Sequence, residues 1–238
     1  MPLAKRRNLY VIPYAGGTAT AFRTLPESLG QAVKFFPLEL PGRGLRIAAS
    51  LLDRVEAMVD DLAEQIDASP ESGGYFLFGH TMGARLAYLV ACRLRDQGKP
   101  EPLHLVLGGE GPPEVCPWRS EAADLARDDR FLAEVIGSGA HPEELLRTPQ
   151  QKERLLPLLR ADMAAFDNFD PPNPPKLTCS ITAVIATRDI VRREEAERWA
   201  RRTTGAFDVK MVTGSHFFFL RYMQVLGKAL YESTRAYD

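Results

Sequence analysis

The chain has 238 residues, 45% of them hydrophobic, and its 30 lysines and arginines against 31 aspartates and glutamates give a net charge of −1. This length suits one sizeable domain, and the apolar content is enough for a real core, which excludes a globally disordered chain. The balanced charge excludes the strongly basic surface that nucleic-acid binding requires.

The apolar runs of the sequence are too short to cross a membrane, because they have the length of strands and are interrupted by Arg, Gly or Pro. The beginning, MPLAKRRNLYVIPYAGG, leads straight into a strand-like run and lacks the apolar region of a signal peptide. Cys92, Cys116 and Cys179 are far apart and form no C-x-x-C pair, which argues against a disulfide framework or a zinc site. We therefore expect a cytoplasmic protein without a membrane partner.

Strand-like and helical runs alternate along the chain. The strand-like runs are, in order, NLYVIPYAGG, AVKFFPLELPGRG, GYFLFGH, LHLVLGG, SITAVIATRD and FDVKMVTGSH. Helical spacing is found in RVEAMVDDLAEQI, from Met82 to about Arg95, in REEAERWARRT, and from about Leu220 to Arg235. Because parallel strands need crossover connections, this alternation predicts an α/β fold with a doubly wound, mostly parallel sheet.

One segment, from Pro112 to Pro175, breaks this alternation. It opens with GPPEVCPW and closes with DPPNPPK, and the runs between them, EAADLARDDRFLAEVIGSG and PEELLRTPQQKERLLPLLRADMAAFDNF, are helical in pattern. We interpret residues 112–175 as a helical lid inserted into a single domain that spans residues 1–238, because one crossover rarely needs so many residues. The alternative is a pair of ordinary crossover helices.

The stretch LFGHTMGAR predicts a sharp turn from a buried strand into a helix. Its centre, GHTMG, is a G-x-nucleophile-x-G pattern in which Thr81 stands where a serine is expected. Gly79 and Gly83 allow the tight turn and the close contact between strand and helix. The Thr81 hydroxyl would then lie above the carboxyl edge of the sheet, near the helix N-terminus.

A base and an orienting acid follow later in the chain. His216, in VTGSHFFF, comes directly after the last predicted strand and is the candidate base, whereas we expect His80 to support the turn, His104 to be structural and His141 to be solvated. Asp189 ends the strand SITAVIATRD and would accept a hydrogen bond from the imidazole. The alternative role for Asp189 is a helix cap.

An oxyanion hole needs two backbone N–H donors. One would come from Met82, the residue after the nucleophile, and the other from the loop PYAGG, at Ala15 or the adjacent glycine. The sequence contains no H-E-x-x-H, no G-x-x-x-x-G-K-[ST], and no G-x-G-x-x-G after the first strand, so neither a metal nor a cofactor is predicted.

Five segments resemble the stand-alone type II thioesterases of polyketide and nonribosomal peptide pathways: YVIPYAGGTATAFR, LELPGRGLR, FLFGHTMGARLAYLVACRL, PLLRADMAAFDNF and GSHFFF. The resemblance spans nearly the whole chain and implies an α/β-hydrolase with a helical lid. It also implies hydrolysis of acyl groups from the phosphopantetheine thiol of an acyl or peptidyl carrier protein. The catalytic residues of the family would fall on Thr81, Asp189 and His216, and the oxyanion donors on Ala15 and Met82.

Two positions depart from the pattern of the family. The usual acidic GDxD stretch reads ATRD, which keeps Asp189 but puts Thr187 in place of the earlier acid. The nucleophile is Thr81, and a β-branched residue at positive φ costs on the order of 1–3 kcal/mol. Its restricted χ1 also limits where the hydroxyl can point.

Three interpretations of Thr81 therefore stand. In the first, the protein is a slow or selective thioesterase. In the second, the methyl group disfavours water, so that the chemistry becomes acyl transfer, ring closure or another step on a carrier-bound acyl chain. In the third, the protein is a non-catalytic module that binds an acyl group or a carrier protein. The last interpretation leaves Asp189 and His216 without a use, because a binding protein needs no general base.

The resemblance also implies a carrier-docking surface and an acyl pocket. Because carrier proteins are acidic, we expect docking at Arg43 and Arg46 in PGRGLR, with Arg127, Arg130 and Lys152 of the lid as further candidates; the alternative is that these cations are merely solvated. The acyl chain would pass apolar residues that could equally be core residues: Phe131, Leu132, Leu156, Phe166 and Phe217. We expect a monomer.

Overall fold

The computed structural model describes residues 7–29, 33–68, 74–114, 128–137, 147–167, 169–170, 173–234 and 237, and within these ranges it contains six strands and seven α-helices. The strands are β1 (Arg7–Ile12), β2 (Val33–Pro37), β3 (Tyr75–His80), β4 (His104–Gly108), β5 (Ser180–Arg188) and β6 (Phe207–Ser215). The helices are α1 (Leu25–Leu29), α2 (Val55–Asp67), α3 (Met82–Asp96), α4 (Asp128–Gly137), α5 (Pro149–Asp167), α6 (Arg193–Ala196) and α7 (Met223–Thr234).

All six strands form one parallel sheet in the order β2-β1-β3-β4-β5-β6. The chain runs outward from β1 to β2, returns to β3 on the other side of β1, and then continues outward to β6. The order thus reverses at β1 and β3, and such a point leaves a crevice at the carboxyl ends of the strands. The predicted doubly wound parallel sheet is confirmed.

Apolar side chains cover both faces of the sheet, as its parallel strands require. The central strands β1, β3 and β4 are buried almost throughout. On one face they pack with α2, α3 and Trp199, and on the other with α1, α7 and the Phe217–Phe219 run. None of the described helices is long and apolar enough to cross a membrane.

The helix predicted over REEAERWARRT has a different form in the structure. Four residues are α-helical, and Glu197–Arg202 continue as a 3₁₀ helix. The buried residues Ala196, Trp199 and Arg202 are spaced by three, and this spacing aligns them on one face of a 3₁₀ helix rather than an α-helix. The last helix likewise begins at Met223 rather than near Leu220, after a separate 3₁₀ turn at Phe218–Leu220.

Two helices, α4 and α5, lie between β4 and β5, within the stretch that broke the strand–helix alternation. They pack on each other through a small apolar cluster of Phe131, Leu132, Val135 and Leu159. This cluster is distinct from the two cores that cover the sheet, while Ala165 and Phe166 near the end of α5 join the core on the α2 and α3 face.

Candidate active site

The turn between β3 and α3 has the strained backbone that the sequence predicts. Thr81 has φ 49° and ψ −117°, and it is the one non-glycine residue at positive φ in the part of the chain that the structure describes. A Cβ at Gly79 would collide with the backbone of Gly83, and a Cβ at Gly83 would collide with the carbonyl oxygens that end β1. The two glycines therefore let α3 start directly against the strands.

The Thr81 hydroxyl lies over the first turn of α3. Its Oγ1 accepts a hydrogen bond from Met82 N at 2.5 Å, while Thr81 N donates to Gly108 O at 2.8 Å. The positive end of the helix dipole faces this oxygen and favours negative charge on it. The position thus suits a nucleophile that becomes an alkoxide during reaction.

His216 and Asp189 form a short, buried pair at the ends of β6 and β5. His216 Nδ1 lies 2.6 Å from Asp189 Oδ1, and the side chains are 4% and 1% exposed. Backbone N–H groups of Ala186 and Val191 also donate to the Asp189 carboxylate, at 3.0 and 3.2 Å. With Nδ1 donating to a carboxylate, Nε2 of the imidazole is left to accept a proton.

The pKa of Asp189 is lowered from its ordinary value by opposing effects. Burial is the largest and acts to raise the pKa, but the hydrogen bond and positive potential of His216, together with the Ala186 N–H, act more strongly in the other direction. Asp189 is therefore a carboxylate at neutral pH, as the orientation of His216 requires.

Gly108 and Gly109, at the end of β4, lie between Thr81 and His216. Gly109 has φ +58°, and a Cβ there would meet the rings of both His80 and His216. Because Thr81 N is bonded to Gly108 O, the turn and the His216 ring border the same glycine pair. No hydrogen bond joins Thr81 to His216 among the described residues; the Thr81 hydroxyl oxygen accepts from Met82 N.

His80 is buried against the His216 ring. The two ring centroids are 5.0 Å apart, and Phe217 and Phe219 enclose His80 from other sides at 5.5 and 4.7 Å. Neither ring nitrogen of His80 has a hydrogen-bond partner in the described chain. Burial, and then the neighbouring His216, lower the pKa of His80 to about 3, so His80 is a neutral support for His216.

The other histidines lie away from this edge or outside the described residues. His104 Nε2 is 2.8 Å from Thr182 Oγ1, which confirms its structural role. His141 falls outside the described residues, as does Cys116. Cys92 and Cys179 are buried free thiols.

The loop after β1, which carries the predicted oxyanion donor Ala15, forms a tight turn. Gly17 N donates to Tyr14 O at 2.8 Å across a turn in which Gly16 takes φ +69°. Positive φ at the third residue of a turn favours glycine. Ala15 and Met82 border the same cavity as Thr81, and no partner for Ala15 N appears among the backbone hydrogen bonds of the described residues. The two residues predicted to supply the donors therefore line the same cavity as Thr81.

A cavity of about 60 Å³ opens beside Thr81. Arg85 and Glu110 form a buried ion pair in its wall, with Arg85 Nη2 3.0 Å from Glu110 Oε1. The remaining wall comes from the loop after β1, the start of α3, and α4 and α5: Ala15, Met82, Val135, Leu159, Asp162, Met163, Phe166 and Asp167. The sequence pattern gave no sign of this polar wall, because Arg85 and Glu110 meet only in the fold.

Of the five residues predicted for the acyl pocket, Phe166 lines the cavity and the other four do not. Phe131 and Leu132 point into the apolar cluster between α4 and α5, and Leu156 packs against it. Phe217 lies beside His216, at 4.8 Å between ring centroids, in the core on the α1 and α7 face. Helical spacing identifies apolar faces, but it does not distinguish a core contact from a cavity wall.

The docking prediction for Arg43 is wrong, because this side chain is only 2% exposed and pairs with Asp162. Arg46 is partly exposed, but both of its terminal nitrogens bind the Asp61 carboxylate, at 2.6 and 2.7 Å. Arg130 and Lys152 are exposed, and Arg127 lies outside the described residues.

Across the described ranges, no group of His, Cys, Asp and Glu side chains could hold a metal ion.

A parallel doubly wound sheet with a strained turn after β3, and an acid and a histidine after the later strands, is the arrangement of an α/β-hydrolase. The chain belongs to the thioesterase domain family, whose model matches residues 7–229. It is therefore a thioester hydrolase by family.

Relatives agree with this assignment. The gramicidin S biosynthesis protein GrsT of Aneurinibacillus migulanus is 32% identical over 216 residues, which is 90% of this chain and 84% of GrsT. The RedJ thioesterase of the prodiginine pathway in Streptomyces coelicolor matches with a TM-score of 0.86 and 35% identity, over 98% of this chain and 95% of RedJ. The type II thioesterase BorB of the borrelidin cluster matches with a TM-score of 0.81 and 27% identity, over 98% and 94%. The resemblance to type II thioesterases is confirmed.

We predict that His80→Leu makes the free energy of unfolding less dependent on pH between about 5 and 6.5. An unfolded histidine takes up a proton below its ordinary pKa of about 6.5, whereas buried His80 does so only near 3. The unfolded state thus binds more protons in this range, so stability rises with pH, by up to ~1.4 kcal/mol per pH unit from one residue.

Urea unfolding of both proteins at several pH values measures this slope. His104, whose pKa burial and then Lys210 lower to about 4, contributes a slope of the same sign that the variant retains. The slopes of the two proteins should therefore differ by the uptake of up to about one proton on unfolding. Equal slopes in wild type and variant would mean that His80 is not held neutral.

Proposed function

We propose that this protein hydrolyses acyl groups from the phosphopantetheine thiol of a carrier protein, with Thr81 as nucleophile, His216 as general base and Asp189 as the acid that orients it. The observation that carries the proposal is the 2.6 Å contact between His216 and Asp189, at the sheet edge where Thr81 sits at positive φ. This pair gives the imidazole a fixed orientation and a free Nε2, as nucleophilic catalysis requires.

In the first step, Thr81 Oγ1 attacks the thioester carbonyl carbon and His216 Nε2 takes the hydroxyl proton. The carbonyl oxygen becomes an oxyanion that the N–H groups of Ala15 and Met82 would bind. Because Met82 N holds the Thr81 hydroxyl in the free protein, the substrate carbonyl has to replace that bond. His216 then gives its proton to the departing thiolate, and the acyl group remains on Thr81.

In the second step, His216 removes a proton from a water molecule that attacks the acyl ester. The tetrahedral intermediate collapses, Thr81 recovers its proton from His216, and the carboxylic acid leaves. The Asp189 carboxylate stays ionised throughout, which agrees with its lowered pKa. The methyl group of Thr81 slows both steps, because it restricts the angle at which the hydroxyl approaches the carbonyl.

Carrier docking is better assigned to a groove beside the loop after β1 than to Arg43. This groove, of about 420 Å³, lies between residues 14–24, the first turns of α5 and the segment 219–223. The described residues that line it include Arg23 and Arg154, both exposed, and no acidic residue. A surface of this charge suits an acidic carrier protein. Arg46 remains a weaker prediction, since Asp61 neutralises it.

The segment 112–175 acts in this proposal as a lid over the acyl group. Its helices α4 and α5 contribute four apolar residues to the cavity wall at Thr81: Val135, Leu159, Met163 and Phe166. A cover of this kind excludes water until the acyl-enzyme is ready for hydrolysis.

Carrier protein loaded with acetyl, butanoyl or hexanoyl phosphopantetheine provides the test of the proposed function. We expect release of the free acid by the wild-type protein and its loss in His216→Ala, with the fold retained in circular dichroism. His104→Ala serves as a control for removing a buried histidine, because His104 lies away from the site and its variant should keep the activity. Hydrolysis that persists in His216→Ala would disprove the assigned base.

We predict that Thr81→Ser raises the rate of thioester hydrolysis by roughly ten- to a thousand-fold, because it removes the methyl group from a strained position and frees χ1. Thr81→Ala should abolish hydrolysis. Product analysis by mass spectrometry of the same reactions separates the alternatives. A product other than the free acid that disappears in the serine variant would mean that the methyl group selects acyl transfer or cyclisation. No acyl turnover in either protein would favour a binding module.

A further inference from the structure

A buried carboxylate of α5 reaches the loop that carries the predicted oxyanion donor. Asp162 is 0% exposed, and its Oδ2 accepts a hydrogen bond from Gly16 N at 2.7 Å. Gly16 directly follows Ala15 in the chain. This bond joins two parts of the protein that are 146 residues apart in sequence, and it does so next to the Thr81 cavity.

Arg43 fixes the orientation of the Asp162 carboxylate. Its two terminal nitrogens bind both carboxylate oxygens, each at 2.7 Å, and the guanidinium is only 2% exposed. Two parallel bonds of this kind define the plane of the carboxylate as well as its position. Asp162 therefore cannot rotate away from Gly16 without breaking a buried ion pair, which is costly.

The helix and the loop also touch through their packing. A Cβ at Gly16 would overlap Leu155 and Leu159 of α5. The φ of +69° and these leucine contacts both favour glycine at this position, and the amide of Gly16 reaches the carboxylate directly.

These contacts determine the direction of the Ala15 N–H. The peptide group between Tyr14 and Ala15 is held by the bond from Gly17 N to Tyr14 O, and the next peptide group, between Ala15 and Gly16, is held by Asp162. Because each peptide group is planar, fixing both leaves Ala15 no rotation of its own. Its N–H then points away from the Tyr14 carbonyl, free for a ligand.

We propose that Asp162 is a positioning residue that holds the oxyanion loop in its active geometry, with Arg43 orienting it. This inference rests on the proposed function, since it assigns a task to Ala15 as an oxyanion donor. It also makes α5 part of the catalytic apparatus: displacement of the helix removes the grip on Gly16, so the oxyanion hole is complete only while α5 is seated on the loop.

A purely structural role for the ion pair makes a different prediction, and two variants separate the roles. The double variant Arg43→Met/Asp162→Leu replaces the buried pair by apolar side chains, an exchange that is often neutral or stabilising. Asp162→Asn keeps an oxygen that can accept from Gly16 N, but leaves Arg43 charged, buried and poorly paired. The double variant should therefore be more stable than Asp162→Asn and yet less active.

The experiment measures kcat, KM and the thermal midpoint of wild type and both variants with butanoyl-pantetheine thioester. We expect the double variant to lose about 10- to 100-fold in kcat, with KM within about twofold. The affinity for propylboronic acid, which forms a tetrahedral adduct, should fall by the same factor as kcat/KM. The affinity for the amide analogue butanoyl-pantetheine amide should not change.

A folded double variant with wild-type kcat would overturn the proposal, and so would activity that follows stability across the three proteins. If the double variant does not fold, Asp162→Ala, which also removes the acceptor for Gly16 N, takes its place: its affinity for propylboronic acid should fall while its affinity for the amide analogue holds, and an unchanged boronic-acid affinity would overturn the proposal. Absence of turnover in the wild type would instead overturn the proposed function, and this inference with it.

Discussion

The structure depends on one backbone constraint, the turn at Thr81 that joins β3 to α3 at positive φ. Such a conformation costs about 1–3 kcal/mol for a non-glycine residue, so a turn that is not constrained by packing would adopt a more favourable conformation. In this protein the packing excludes a more favourable turn, because Gly79 and Gly83 allow the start of α3 to pack directly against the ends of β1 and β3. Packing of the cores on both faces of the sheet thus maintains the strained conformation. This conformation places the Thr81 hydroxyl above the edge of the sheet.

The other parts of the site are arranged around this turn. Strands β5 and β6 bring Asp189 and His216 to the same edge, where Gly109 leaves room for the imidazole and the neutral His80 ring packs against it. Helix α5 lines the Thr81 cavity and binds the loop after β1 through Asp162. The Thr81 hydroxyl, the His216–Asp189 pair and the loop after β1 therefore belong to separate elements that meet at one edge of the sheet.

Sequence patterns predicted the sheet, the strained turn and the His216–Asp189 contact, because each has a local signal: alternation of strand and helix, two glycines around Thr81, polar residues directly after strands. They did not predict the contact of Arg43 with Asp162, since these residues are 119 positions apart and periodicity does not say which helix faces meet. For the same reason Phe131 was assigned to the pocket although it belongs to the α4–α5 core. The docking prediction for Arg43, which lies in the turn PGRG, is wrong for the same reason, because its partner Asp162 is remote in sequence.

Labelling with an alkyl fluorophosphonate tests most directly whether Thr81 is an activated nucleophile, because this reagent forms a stable adduct with an activated hydroxyl. Peptide mass spectrometry then identifies the modified residue. We predict a single adduct on Thr81 that is absent from Thr81→Ala and forms much more slowly in His216→Ala. An adduct on another residue, or no adduct in a preparation that hydrolyses acyl-carrier thioesters, would contradict it.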